Sequence, residues 1–284
     1  MKPDERGGLW LALLAVFCFS TAPVLVIWAD PVSPYEKAAW RMVVATLAVW
    51  ILTRVQRQPL HYKRQDGRKF LLFGLVTALH FLTFIAAFNF TTIAHAVTVT
   101  YTAPVFVTLF SALFLKERIP RRKYIGIAIV IIGIGVLAGF EPAFTPRMLI
   151  GDGLALGAAI TFALYSVMGR SQRSTYPLLT YAFAVYGMAA LWLFPAGLVS
   201  FTPSNYGLRQ VLALVALGVL PLAVGHTLYN AAVRRTHATY VNLVSSQEVT
   251  GGVILGALLL GQLPTLNSVV GAVIILTGIA LVLI

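Results

Sequence analysis

Apolar runs near the ~20 residues needed to cross a ~30 Å hydrocarbon core recur along this whole chain, separated only by short polar links. That pattern predicts an all-α integral membrane protein. Composition decides against a soluble alternative, because only 11% of the 284 residues are charged where a soluble domain carries roughly 25%. Ten transmembrane helices can be drawn, at 8–28, 35–53, 70–90, 94–115, 124–139, 151–169, 178–200, 208–231, 239–260 and 265–283. No link between them is long enough to form a separate soluble domain. "MKPDERGGLWLALLAVFCFSTAP" resembles a secretory signal in outline, but its apolar part is too long, so it is read as the first span. Cys18 is the one cysteine, which excludes a disulfide framework and a cysteine metal site. The expectation is no metal and no cofactor.

The formal charge of +12 belongs to the links. With the N-terminus inside, Lys2, Arg6, Arg54, Arg57, Lys63, Arg64, Arg68, Lys69, Lys116, Arg118, Arg121, Arg122, Lys123, Arg170, Arg173, Arg234 and Arg235 all lie on the inner side. These are 17 of the 21 basic residues, leaving Lys37, Arg41, Arg147 and Arg209 outside. Such a bias predicts a multi-pass protein of a bacterial inner (plasma) membrane with both termini cytoplasmic. The arginines then read as topology signals, and nucleic acid is not an expected partner. The expected partners are a small-molecule substrate and membrane lipid, with the chain a monomer or weak dimer.

Shifted by 145 residues, the chain matches itself in several spans at once. "GLWLALLAVF" at Gly8 meets "GLALGAAITF" at Gly153, with Phe17 on Phe162; "SALFLKE" at Ser111 meets "GALLLGQ" at Gly256. "GIAIVIIG" at Gly126 meets "GAVIILTG" at Gly271, glycine on glycine at both ends. The chain therefore reads as two five-helix repeats, 1–142 and 143–284, within one transmembrane domain. An odd number of spans per copy inverts the second copy, giving the inverted-topology architecture common among secondary transporters.

Several spans carry polar residues that lipid would penalise. In "VNLVSSQEVTGG", an ideal helix places Asn242, Ser245, Ser246, Glu248 and Gly252 on one face, with Gln247 turned away. In the fourth span His95, Thr98, Tyr101, Thr102 and Thr108 share a face, and Thr100 falls opposite. His80, Thr83 and Phe84 on the third span, Thr161 and Tyr165 on the sixth, and His226, Tyr229 and Asn230 on the eighth extend the set. Together these faces predict one central substrate cavity. Serines and threonines have a plainer use, bonding the carbonyl of the preceding turn, and His80 and His226 read equally as buried structural residues. Glu248 has no plain reading, because an unpaired carboxylate is costly there. Tyr35, Tyr124, Tyr176 and Tyr181 near span ends read as interfacial belts, as do Trp10 and Trp40. The fifth and tenth spans carry no polar stripe and read as peripheral helices packing through small residues.

These segments resemble the drug/metabolite transporter superfamily, and within it the EamA-type ten-helix exporters. "SPYEKAAWRMVVATLAVW" is similar to that family's second helix, with its arginine at Arg41, and "YTAPVFVTLFSALFLKERIP" to its fourth, with Pro104 and Glu117. "GDGLALGAAITFALYSVMGR" resembles the sixth helix and "LYNAAVRRTHATYVNLV" the hairpin of the eighth and ninth. The second copy departs from the pattern, carrying Val249, Gln262 and Tyr186 where the first has Pro104, Glu117 and Arg41. The chain is most similar to the aromatic amino acid exporter (YddG-like) branch. The resemblance implies a secondary transporter, not an enzyme, that exports small amphipathic metabolites, above all aromatic amino acids, by alternating access.

Within that reading, Arg41 holds a substrate carboxylate and Glu248 an ammonium, or Arg41 pairs instead with Asp30 or Glu36. A proton-coupled multidrug or cation exporter is the alternative, with Glu248 exchanging a proton for a cation. An intramembrane enzyme fits less well, since no "HExxH" or "GxSxG" occurs, nor does a Walker motif for ATP.

Overall fold

Turn chemistry in the links sets where the helices begin. Ser33 accepts a hydrogen bond from the Glu36 amide, Glu36 accepts one from the Ser33 amide, and Pro34 occupies the first turn, so a capping box opens the second long helix. Thr145 accepts from the Met148 amide and is followed by Pro146, which starts another. A computed structural model describes residues 3–87, 89–90, 96, 99–117, 119–138, 145–261 and 266–283. Within it the α-helices are α1 (Pro3–Phe19), α2 (Ala22–Trp28), α3 (Pro34–Val55), α4 (Gly67–Ala87), α5 (Ala103–Phe114), α6 (Tyr124–Ala138) and α7 (Pro146–Ser171). They continue with α8 (Leu178–Val199), α9 (Leu208–Leu217), a π-helical stretch (Gly218–His226), α10 (Thr227–Arg235), α11 (Ala238–Ser245), α12 (Glu248–Leu260) and α13 (Leu266–Leu283).

Seven stretches among the described residues are long and apolar enough to cross a membrane: Glu5–Trp28, Pro34–Val55, Arg64–Ala87, Pro146–Ser171, Leu178–Val199, Leu208–Arg235 and Ala238–Leu260. Three shorter apolar helices, Ala103–Phe114, Tyr124–Val136 and Val269–Val282, fall where the hydropathy places the fourth, fifth and tenth spans.

Small residues let the helices approach closely. A methyl group at Gly74 on α4 would stand 2.3 Å from Cβ of Met188 on α8. One at Gly126 on α6 would stand 2.8 Å from the Gly278 carbonyl on α13, and one at Gly133 2.8 Å from the Ile275 amide nitrogen. As the α6 number rises the α13 number falls, so these two helices run antiparallel and seal against each other through glycine. By the same test α3 runs antiparallel to α8, because Gly197 meets Ala39 and Gly187 meets Thr46. Further antiparallel contacts join α4 to α7, with Lys69 Nζ donating to Gln172 and His80 to Ala158, and α1 to α10 with its π-helical lead-in.

Two expectations change. The ninth span is not one ideal helix, because it breaks at Ser246–Gln247, between α11 and α12. Tyr176 and Tyr181 are buried, at 4% and 0% exposure, in an aromatic cluster with Tyr62, Phe70 and Phe73. Hydropathy placed them near span ends, but inter-helix packing covers them. Tyr35, Tyr124, Trp10 and Trp40 do stand exposed on the bundle surface.

Candidate functional site

Three helix interruptions meet beside one cavity. The first span turns at Ser20–Thr21, the fourth at Tyr101–Thr102 and the ninth at Ser246–Gln247. The last two lie 145 residues apart, the repeat shift itself. At every break a hydroxyl donates to a carbonyl of the preceding turn, which also accepts the amide three residues on. Thr21 Oγ1 donates to the Cys18 carbonyl at 2.7 Å, Thr102 Oγ1 to that of Val99 at 2.7 Å, and Ser246 Oγ to that of Leu243 at 2.6 Å. Thr102 and Ser246 therefore serve the backbone.

The breaks bring their neighbours together. Gly251 packs on Ser20, where any Cβ would collide with the hydroxyl. Tyr101 donates its phenol proton to Glu248 Oε2, joining the fourth and ninth spans. In the eighth span, the π-helical stretch with Pro221 brings His226 toward the same place.

The cavity encloses about 440 Å³, counting the space where it opens outward, and Arg41, His80, Phe84, Tyr101, His226 and Glu248 line it. Phe19, Ala22, Phe81, Thr100, Phe162 and Pro221 complete the wall. His80 stacks on Phe162, with centroids 4.9 Å apart, and its Nδ1 lies 3.0 Å from the Ala158 carbonyl oxygen. His226 packs against Phe19 and Phe81, at 4.5 and 5.0 Å. The Arg41 guanidinium lies over the Phe81 ring, 4.3 Å from its centroid.

Arg41 is 2% exposed and its Nε has no hydrogen-bond partner. Neither Asp30 nor Glu36 takes it. Asp30 pairs with Lys37, while Glu36 accepts from the Tyr206 hydroxyl at 2.7 Å and from the Ser33 and Thr202 amides. Among the described residues Arg41 forms no ion pair, so its charge faces the aromatic cavity that it shares with Glu248.

The remaining sequence candidates form a layer behind the wall. Tyr229, fully buried, lies 2.5 Å from Ser166 Oγ and accepts from Asn242 Nδ2 at 3.4 Å; Asn230 Nδ2 donates to the Tyr165 hydroxyl at 2.5 Å. Phe162 links the layers, stacking on Tyr165 and tilting against Tyr229. Ser245 is buried with its hydroxyl unpartnered. Tyr165, Tyr229, Asn242, Ser245 and Ser246 thus support the cavity from behind, and Thr102 lies at its break. Thr98 is outside the described residues. Thr100, which an ideal helix turned away, reaches the wall because the fourth span is interrupted. Phe162, matched by the repeat to the exposed Phe17, was not among the expected cavity residues, and like Phe19, Phe81 and Pro221 it carries no polar signal.

At the far end of the bundle, two basic residues read as topology signals are tied into the fold. Arg170 Nε donates to both Glu117 oxygens, at 2.8 and 2.7 Å, and its Nη1 to the carbonyls of Val233 and Thr236. His237 Nδ1 stands 3.5 Å from Glu117 Oε2. Partial burial pushes the Glu117 carboxyl up, but hydrogen bonds from His237 and Arg170 outweigh that and hold it at about 2. Arg234 donates to the Tyr176 carbonyl and lies over the Tyr181 ring.

The profile of the EamA-like transporter family matches this sequence twice, at residues 6–139 and 149–284. The chain belongs to the EamA-like transporter family. Its two matched stretches are two family repeats. It is 28% identical to the pseudopaline exporter CntI of Pseudomonas aeruginosa over 279 residues, covering 96% of this chain and 94% of that protein. An uncharacterized transporter of Clostridium kluyveri is 29% identical over 296 residues, with 96% and 92% covered. One solved crystal structure superposes with a TM-score of 0.81 at 21% identity, covering 97% of this chain and 96% of that one, a likeness of fold.

Proposed function

We propose that this protein is a secondary transporter exporting small amphipathic zwitterions, with aromatic amino acids and related compounds as the substrate class. One observation carries the reading: a buried guanidinium that forms no ion pair among the described residues and a carboxylate that accepts from a phenol share one aromatic-walled cavity. Arg41 takes the substrate carboxylate, Glu248 its ammonium, and the faces of Phe81, Phe84 and Phe162 its ring. Similarity to the aromatic amino acid exporter branch supports the ring, and the exporter name of a relative supports the direction.

In this reading ten spans cross a bacterial plasma membrane, the three shorter helices among them, with both termini cytoplasmic. Residues 1–142 and 143–284 are inverted copies. Exchanging the copies converts the pairing of α4 with α7 into that of α1 with α10. It returns α3 with α8 and α6 with α13 to themselves, and every one of these pairs is antiparallel. Matching helix breaks in the two copies support a substrate site at the repeat interface.

A cation exporter is the second reading, favoured by the Tyr101–Glu248 contact alone. Purified protein in liposomes, loaded with L-phenylalanine or phenethylamine and assayed with and without a pH gradient, separates the two. Efflux of L-phenylalanine above that of protein-free liposomes is the expected result. Efflux of phenethylamine alone, driven by the gradient, establishes the cation reading, and efflux of neither compound overturns both.

A further inference from the structure

A second cavity lies next to the first. It encloses about 620 Å³ including its open mouth, and Val26, Ile27, Asp30, Lys37, Ile85 and Asn89 are among its lining residues. The two cavities divide neighbouring residues between them: Ala22 and Phe84 line the first, Pro23 and Ile85 the second. They therefore follow one another along α2 and α4, toward the end of the bundle that holds Asp30 and Asn89.

Lys37 and Arg41 stand four residues apart on α3, on one face and about 6 Å apart along the helix axis. Both are buried, at 4% and 2% exposure. Each nevertheless lines a cavity, Arg41 the central one and Lys37 the second. A buried ammonium needs acceptors. Among the described residues Lys37 has one, Asp30, whose own side chain is 63% exposed and lies at the mouth. An ammonium offers three donors, and this contact uses one of them.

We infer that the second cavity is an exit subsite for carboxylates, in which Lys37 exchanges Asp30 for the carboxylate of a compound leaving Arg41. The two cations form a ladder one helical turn apart, so the anionic group moves between fixed donors without crossing an apolar gap. Asp30 holds the ammonium in place between passages. Its own exposure leaves Asp30 free to turn to water when another carboxylate reaches the ammonium. The subsite selects for the carboxylate and ignores the ring. The inference rests on the carboxylate part of the function proposed above.

A cysteine reporter in the cavity tests it. In a Cys18→Ala background, Ile27→Cys is labelled from outside with a membrane-impermeant maleimide in sealed proteoliposomes. External L-phenylalanine, 3-phenylpropanoate or phenethylamine serves as protectant. The two carboxylates are expected to slow labelling and phenethylamine to leave it unchanged. Lys37→Gln should raise the half-protecting carboxylate concentration about tenfold, the scale of a lost hydrogen bond to a charged group, while Lys37→Arg restores protection. Val26→Cys provides a second reporter. Equal protection by phenethylamine, protection unaltered by Lys37→Gln, or failure of both cysteines to label from outside overturns the subsite. Carboxylate protection in a protein that carries no L-phenylalanine overturns the substrate reading and leaves the subsite standing. Transport without Lys37-dependent protection does the reverse.

Discussion

In the proposed function the chemistry of the cavity turns on Glu248 and Arg41, and the two were legible to different degrees. A carboxylate amid apolar sequence declares itself, because no lipid-facing role tolerates it. Arg41 was identifiable only by resemblance, and sequence left it free to pair with Asp30 or Glu36 until Lys37 and Tyr206 were found to hold those groups. Glu248→Gln keeps the shape and an acceptor for the Tyr101 phenol while deleting the charge. Amino acid efflux is expected to fall at least about tenfold with a melting temperature near wild type; an unchanged efflux assigns Glu248 a structural role. Arg41→Gln should separate substrates by class, lowering efflux of L-phenylalanine by roughly tenfold or more while sparing an amine without a carboxylate. Equal losses for both would place Arg41 in packing instead.

Element boundaries explain most of what sequence reasoning misassigned. Counting 100° per residue is valid only through an unbroken helix. The turns at Tyr101–Thr102 and Ser246–Gln247 reset the count, which brings Thr100 to the wall and commits Thr102 and Ser246 to backbone carbonyls. Tyr229, Ser166 and Asn242 meet across sequence separations of 63 and 13 residues, and no periodicity encodes which buried hydroxyl finds which partner. The repeat was visible because glycine alone fits where backbones touch. A methyl group at Gly278 would stand 2.8 Å from both the Gly126 carbonyl and the Val130 amide nitrogen. Gly278→Val therefore has to push α13 off α6, at a cost of ~1–3 kcal/mol. Thermal unfolding in detergent should show a lowered midpoint, whereas Gly135→Val on the same α6, with nothing within 4 Å, should leave it close to wild type. Similar midpoints for the two variants would mean that the α6–α13 seam does not hold this part of the bundle.

Across the whole molecule the two ends are built differently, which bears on the proposed alternating access. The end carrying Asp30 and Asn89 holds an open cavity. At the other end Arg170 ties α7 to the link after α5 through Glu117, and to the end of α10 through the carbonyls of Val233 and Thr236. Opening that end requires these contacts to separate, so Glu117→Gln should shift the population toward a state open there. A change of ~1.4 kcal/mol shifts such an equilibrium tenfold. A cysteine at Ser171 should then react faster with a maleimide supplied from that side, and an unchanged rate would deny the contact a gating role. The same carboxylate gives a signature in stability. Its folded pKa, about 2, lies below the ~4.3 of a free glutamate, so the ionised form is the one the fold favours. The stabilisation that its ionisation contributes is present above the unfolded value and is lost as pH falls from about 4.5 toward 2. Melting temperatures of wild type and Glu117→Gln should therefore differ at pH 5 and converge as the pH falls below 4.5. A gap that instead widens below pH 4.5 would show that the fold favours the protonated carboxyl, and Arg170 could not then be its principal partner.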